Sequence, residues 1–271
     1  SALVAARVPE SDLEPVANLV SGHPTVTHNY LRDHAYNLWF TIAVPCSMGL
    51  DRTLAILSAE TGGLAMHPLR RTATFKIGVR FRLDSLENDT VPAESAPPSL
   101  RLHPDDETRA ILRALQTPLP LVERPFDQLA RSTGVRTGAL LECAGALRDR
   151  VVRRYAATFR HRKLGVRGNG MAVWRVPAER IDEVGRALAT IPQVSHCYAR
   201  TTLDDFPYPL YSMIHAADEA GVQEIARAAG ARFGVEEHAV LFSRREFKKC
   251  RLRYYLPDLD AWWSERCPSV A

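Results

Sequence analysis

His28, Tyr30 and Arg32 stand at alternate positions of the run VTHNYLR, and the same triplet returns as His196, Tyr198 and Arg200 in VSHCYAR. Alternate residues of a strand face the same way, so each run presents an imidazole, a phenol and a guanidinium on one side. Histidine titrates nearest neutrality and also ligates iron, so His28 and His196 are candidate proton donors or axial ligands, and both roles stay open at this stage. Arg32 and Arg200 offer guanidinium forks suited to carboxylates. The tyrosines add a stacking ring or a hydroxyl donor.

The triplets belong to a longer repeat. Residues 6–32 match 174–200 at a constant shift of 168, and nine of the 26 pairs from 7/175 to 32/200 are identical. After a four-residue insertion, TLDD, in the second copy the match resumes at a shift of 172, setting AYNLWFTIAV (35–44) against PYPLYSMIHA (207–216). Short apolar runs alternate with two stretches of helical spacing, so each copy reads as strand, helix, strand, strand, helix, strand. In the second copy the helices fall at 177–191 and 218–234, and the strands near 170–176, 193–200, 209–216 and 245–255. The fold class is therefore α+β, with two ferredoxin-like βαββαβ units at about 1–85 and 164–256.

Between them, residues 86–104 read as a linker, rich in Pro, Ser and acidic residues at its start. Helices at 105–116, 125–134 and 136–150, the break STGVRT, and a strand at 151–159 make 105–163 a winged helix-turn-helix. The first copy is expected either to have lost its own helical head or to stand in this sequence without it. Residues 257–271 form a C-terminal tail. The two βαββαβ sheets are expected to pack together as a pseudo-dimer, since each needs a partner for its open face.

The 271 residues are 46% hydrophobic and 24% charged, which excludes a disordered or fibrous chain. No apolar run reaches membrane-spanning length, and the first residues lack a signal-peptide pattern. Five cysteines without a C-x-x-C pair argue against a zinc site or a disulfide scaffold, and the expectation is a cytoplasmic protein. A net charge of +4 tolerates a polyanionic ligand without demanding one.

The order of ETRAILRALQ, FDQLARSTGVRTGALLECAGALRD and VVRRYAATF before a βαββαβ unit resembles the Lrp/AsnC family. More narrowly, VTHNYLRDHAYNLWFTIAVP, VSHCYARTTLDDFPYPLYSMIHA and the basic REFKKCRLRYY look like the siroheme decarboxylases, in the fused D–L form of heme d1 biosynthesis. That resemblance implies removal of CO2 from the C12 and C18 acetates of siroheme, with no cofactor beyond the substrate iron. It also implies siroheme and its products as ligands, and association with homologous decarboxylase subunits or with itself. Neither DNA nor a membrane is an expected partner.

Siroheme carries eight carboxylates, so basic residues are expected around it. Arg70, Arg71 and Lys76 in the first copy, and Arg244, Arg245, Lys248, Lys249, Arg251 and Arg253 in the second, are candidates. Tyr36 and Trp39, answered by Tyr208 and Tyr211, offer stacking surface. His67 and His238 occupy matching places before the last strand of each copy, and His34 and His215 are further candidates from the motif. A DNA-binding regulator and a non-catalytic tetrapyrrole carrier are the rival readings. GALLECAGAL, the middle of the third helix, has few long polar side chains to reach base edges, which weakens the first rival.

Overall fold

The structure, a computed structural model, describes residues 1–78, 103–148 and 168–267. The proposed wing strand at 151–159 and most of the linker lie outside the described residues. In chain order the first copy contains β1 (Ala2–Ala6), α1 (Leu13–Gly22), β2 (Val26–Arg32), β3 (Leu38–Ile42), α2 (Leu50–Glu60) and β4 (Met66–Ile77). The helices α3 (Asp106–Leu115), α4 (Pro125–Thr133) and α5 (Thr137–Leu147) follow. The second copy contains β5 (Gly168–Trp174), α6 (Ile181–Ala189), β6 (Val194–Arg200), β7 (Leu210–Ala216), α7 (Glu219–Phe233) and β8 (His238–Lys249), and α8 (Pro257–Arg266) comes last.

Two separate sheets lying against each other were expected, and the copies instead close one eight-stranded barrel in the order β1-β3-β2-β8-β5-β7-β6-β4. The cause is the length of the last strand of each copy. Residues 66–70 of β4 pair with β1 of their own copy, and Arg71–Ile77 pair with β6 of the other. Likewise β8 pairs with β5 through His238–Phe242 and with β2 from Ser243 to Lys249. Each twelve-residue strand thus serves both copies, and neither sheet keeps an open edge.

The apolar side chains form two layers. In the second copy Trp174, Val184, Leu188, Leu210, Ile214 and Val222 pack the strands against α6 and α7 on the outside of the barrel. Ala5, Trp39, Leu69, Met171, Val173, Tyr211 and Leu241, drawn from both copies, fill the inside. Phe75 of β4 crosses to the second copy and lies on α6, where a Cβ on Gly185 would stand only 2.4 Å from the ring. Glycine is what permits that approach.

The last strand of the second copy starts earlier than its charge pattern indicates, at His238, and ends at Lys249. The run Ala239-Val240-Leu241-Phe242 has no polar alternation because the barrel interior takes one set of side chains and α7 the other.

The described residues within 95–159 and 251–271 cluster as a second compact unit. Its core is Ile111, Ala114, Leu115, Leu129, Ala130 and Leu140. Asp105 caps α3 by accepting from the Thr108 N–H at 2.8 Å, and Gly134, with φ of +71°, ends α4 just before α5. The chain after Cys250 joins this unit. Arg113 donates to the Tyr255 carbonyl, and the Tyr254 N–H donates to Gln116 Oε1 at 2.6 Å. Residues 257–266 are helical, which the lack of apolar periodicity in DLDAWWSER did not announce.

Candidate active site

Each triplet lies on a strand with a bulge immediately before its histidine, where the register slips between Val26 and His28 on β2 and between Val194 and His196 on β6. A bulge lets two consecutive side chains meet on one side. Thr27 and Ser195 occupy those places, and each hydroxyl reaches the histidine that follows it. Thr27 Oγ1 is 3.0 Å from His28 Nδ1, and Ser195 Oγ is 2.9 Å from His196 Nδ1. The Nδ1 position of both rings is thereby engaged on a hydroxyl. Strict alternation hides such neighbours, so sequence reasoning missed Thr27 and Ser195. The conserved order hydroxyl-His in both copies of the repeat was the available signal.

The hydroxyls continue differently in the two copies. Thr27 Oγ1 also lies 2.7 Å from Thr41 Oγ1, whereas Ser195 Oγ lies 2.6 Å from His215 Nε2. Burial depresses the His28 pKa, and the ammonium of Lys249, in register with it, lowers it further against a smaller opposing effect of Glu246. In the second copy Ile77 stands in register with His196, so that cation has no counterpart there.

Tyrosine and arginine follow on the inner face. The rings of His28 and Tyr30 are 6.0 Å apart and those of His196 and Tyr198 are 6.1 Å apart. The Arg32 guanidinium is 5.6 Å from the Tyr30 ring, and that of Arg200 is 5.3 Å from Tyr198 and 5.6 Å from Tyr211. Both arginines hold the crossing strands at equivalent points. Arg32 Nη1 donates to the Leu241 carbonyl at 2.7 Å, and Arg200 Nη1 donates to Leu69 at 3.0 Å. Their Nε groups have no partner among the described residues. Burial pulls both pKa values down, that of Arg32 to about 10. The side chains of Arg71, in register with Arg200 and 6.0 Å from the Tyr198 ring, and of Lys249 make no hydrogen bond or ion pair among the described residues, so each triplet has beside it one cation without a carboxylate partner there.

A third cluster joins the copies. Phe206, just after the four-residue insertion, is fully buried and its ring centroid lies 5.2 Å from His34, 5.9 Å from Tyr36, 5.6 Å from Trp39 and 5.0 Å from Tyr208. Tyr36 donates its hydroxyl to Asp205 at 2.9 Å, and Arg7 pairs with the same carboxylate while lying 4.4 Å over the Tyr36 ring. His67 meets Tyr36 edge-on at 5.5 Å. Tyr36 and Trp39 are only 3% and 1% exposed, so they wall the interior and offer no open stacking face. Phe206, Asp205 and Arg7 were not singled out in the sequence.

Several candidates fall elsewhere. His67 and His238 are not equivalent positions. His67 pairs with Ala5 inside the barrel, whereas His238 pairs with Trp174 and stacks on that ring at 5.0 Å on the helix side. One residue of offset reverses the face. Lys76 and Lys248 also point to the helices, donating to the carbonyl of Ile191 at 3.1 Å just past the end of α6 and to that of Ser21 at 2.6 Å in the last turn of α1. On the exterior, Arg70 pairs with Asp51, Arg244 with Asp33 and Glu219, and Arg245 with Glu14. Arg251 and Arg253 belong to the helical unit. All five cysteines are free thiols, and no group of three or more His, Cys, Asp or Glu arranged for a metal occurs among the described residues.

Comparison with known proteins agrees with this architecture. The AsnC-like ligand binding domain matches residues 1–76 and 163–248, and the siroheme decarboxylase NirDL-like HTH domain matches 108–154. A siroheme decarboxylase of Hydrogenobacter thermophilus is 38% identical over 98% of this chain and 79% of its own length. The siroheme decarboxylase NirDL subunit of Paracoccus denitrificans is 35% identical over 92% of this chain and 77% of its own. A crystal structure of the siroheme decarboxylase NirDL in complex with an iron-uroporphyrin III analogue superposes with a TM-score of 0.72 at 33% identity, covering 98% of this chain and 77% of that one. With similarity running through both copies and the helical head between them, the chain belongs to the siroheme decarboxylase family.

Proposed function

We infer that the protein is a carboxy-lyase that removes CO2 from the C12 and C18 acetates of siroheme, giving 12,18-didecarboxysiroheme in heme d1 biosynthesis. The observation that carries this reading is the duplicated His–Tyr–Arg face inside one barrel, in a chain similar to siroheme decarboxylases along 98% of its length. Arg32, Arg200, Arg71 and Lys249 bind carboxylates of the plate, and the buried arginine Nε groups receive partners when it is seated. The C–C bond to a carboxylate breaks, CO2 leaves, and the electron pair stays on the methylene carbon in conjugation with the macrocycle. His28 or His196 then supplies the proton that completes the methyl group. The substrate brings its own iron, and this chemistry calls for no further cofactor.

In this reading the copies at 1–85 and 164–256 form a pseudo-twofold pair, the head at 105–163 is an inherited element that no longer reads DNA, and the protein works in the cytoplasm alongside homologous subunits or further copies of itself. Anaerobic incubation with siroheme followed by mass spectrometry tests the activity. Loss of two CO2 is expected, and siroheme recovered unchanged would favour a carrier or a regulator.

A further inference from the structure

The two histidines that the proposed reaction uses are wired differently. At His196 the Ser195 hydroxyl stands between two imidazoles, 2.9 Å from His196 Nδ1 and 2.6 Å from His215 Nε2. Ser195 is fully buried and His215 is 9% exposed, so the link is sheltered from bulk water. The first copy has the bulge and the hydroxyl but lacks the second imidazole. Thr41 and Ala43 stand where the second copy has Met213 and His215, so the hydroxyl chain from His28 ends on Thr41, a group that stores no proton at neutral pH.

We propose that His215, acting through the Ser195 hydroxyl, replaces on Nδ1 the proton that His196 delivers from Nε2, so that only the second copy contains such a relay. The proposal rests on the decarboxylase reading above. The step balances as a concerted transfer. His196 gives its Nε2 proton to the methylene carbon as it receives the Ser195 hydroxyl proton on Nδ1. Ser195 in turn takes the Nε2 proton of cationic His215. One positive charge leaves His215, the carbanion is neutralised, and the serine ends as it began. A solvent proton then enters at His196 Nε2 as the Nδ1 proton returns through Ser195 to His215, which restores the starting tautomers and charge. The imidazole of His196 is never left as an anion, which is what the relay contributes over a lone neutral histidine. Ser195 and His215 are positioning residues, since neither has to touch the substrate.

Ser195→Ala, Ser195→Thr and His215→Gln, made in the full chain and assayed anaerobically with siroheme, test this. In Ser195→Ala and His215→Gln the kcat of one of the two decarboxylations should fall about tenfold to hundredfold with KM within about twofold, and monodecarboxylated product should accumulate. Ser195→Thr, which keeps a hydroxyl, should recover most of the rate. In H2O/D2O mixtures the curved dependence of that step on deuterium fraction should become linear in His215→Gln. Unchanged rates and curvature in Ser195→Ala and His215→Gln, or a Ser195→Thr enzyme as slow as Ser195→Ala, would overturn the relay.

A reading without siroheme separates this proposal from the reaction itself. In 15N-histidine NMR of the free protein, His196→Ala should shift the ring nitrogens of His215 when Ser195 is present and not in the Ser195→Ala background. Indifference of His215 to His196 with Ser195 in place would sink the relay whether or not the protein decarboxylates siroheme. A protein that shows this coupling yet leaves siroheme intact would overturn the activity alone.

Discussion

Arg32→Met separates a guanidinium kept for the fold from one kept for the ligand. Burial lowers the Arg32 pKa from the ordinary guanidinium range to about 10, so holding it charged in the folded protein costs about 3 kcal/mol. A base with a depressed folded value pays this cost fully below that value and sheds it only as the pH rises towards that of the free guanidinium, so at neutral pH the cost is complete. Against it stands one charge-assisted bond to the Leu241 carbonyl at 2.7 Å, worth about 1.5–3 kcal/mol, while Nε contributes nothing. The two nearly cancel. A methionine of similar reach should therefore leave the unfolding free energy within about 1 kcal/mol of the parent. A substrate carboxylate, by contrast, loses a charged partner, and siroheme affinity should fall about tenfold to hundredfold, at 1.4 kcal/mol per decade. Urea unfolding reads the first quantity and anaerobic absorption titration with siroheme the second. A loss of more than about 3 kcal/mol in stability with unaltered affinity would refute the reasoning and make Arg32 a strut for β8.

Further outcomes are expected. His28→Ala and His196→Ala should each retain siroheme while turnover falls roughly 10²–10⁴-fold and to unequal extents, and an immediate change in the spectrum of bound siroheme would instead mark that histidine as an iron ligand. Because burial depresses the His28 pKa, stability should decline as the pH falls below about 6.5, and urea midpoints between pH 5 and 7 should show a smaller decline in His28→Gln. Lys248→Met should lower stability by about 1–2 kcal/mol through loss of the bonds to Ser21 and His23 while KM for siroheme stays put, and a raised KM with unchanged stability would return this lysine to the substrate. The outward positions of α5 are Gly138, Leu141, Glu142, Gly145 and Ala146, so gel-shift assays should find no sequence-selective DNA binding, and tight, salt-sensitive binding to a promoter fragment would reverse that reading.

What the sequence revealed depended on where side chains obey a period. The triplets were legible because β2 and β6 alternate regularly beyond their bulges, and a repeat printed the pattern twice. The bulges broke alternation at Thr27 and Ser195, and with it any reason to group each hydroxyl with the next histidine. His67 and His238 looked alike in one dimension because a shift of 171 and a shift of 172 are hard to tell apart in short runs, although that single residue decides the face. The basic stretch of β8 was correctly seen as dense in charge. Its division among exterior ion pairs, a helix-end contact at Lys248 and an uncommitted Lys249 depends on neighbours more than 200 residues away. The role of Phe206 was invisible for the same reason, since an aromatic after an insertion gives no sign that it fills the space between copies.

The reciprocal loan of β4 and β8 bears on how such a protein acquires two unlike halves. If the halves were separate chains with the same strand exchange, three pairings would compete, two between identical halves and one between different ones. Only the mixed pairing would place a His28-type end and a His196-type end in one barrel. Joining the halves covalently raises the local concentration of the correct partner to about the millimolar range, which makes the mixed barrel the default product of synthesis. It also releases each half from the need to complement itself. Differences such as Thr41 against Met213 and Ile77 against Lys249 can then accumulate on one side without being copied to the other.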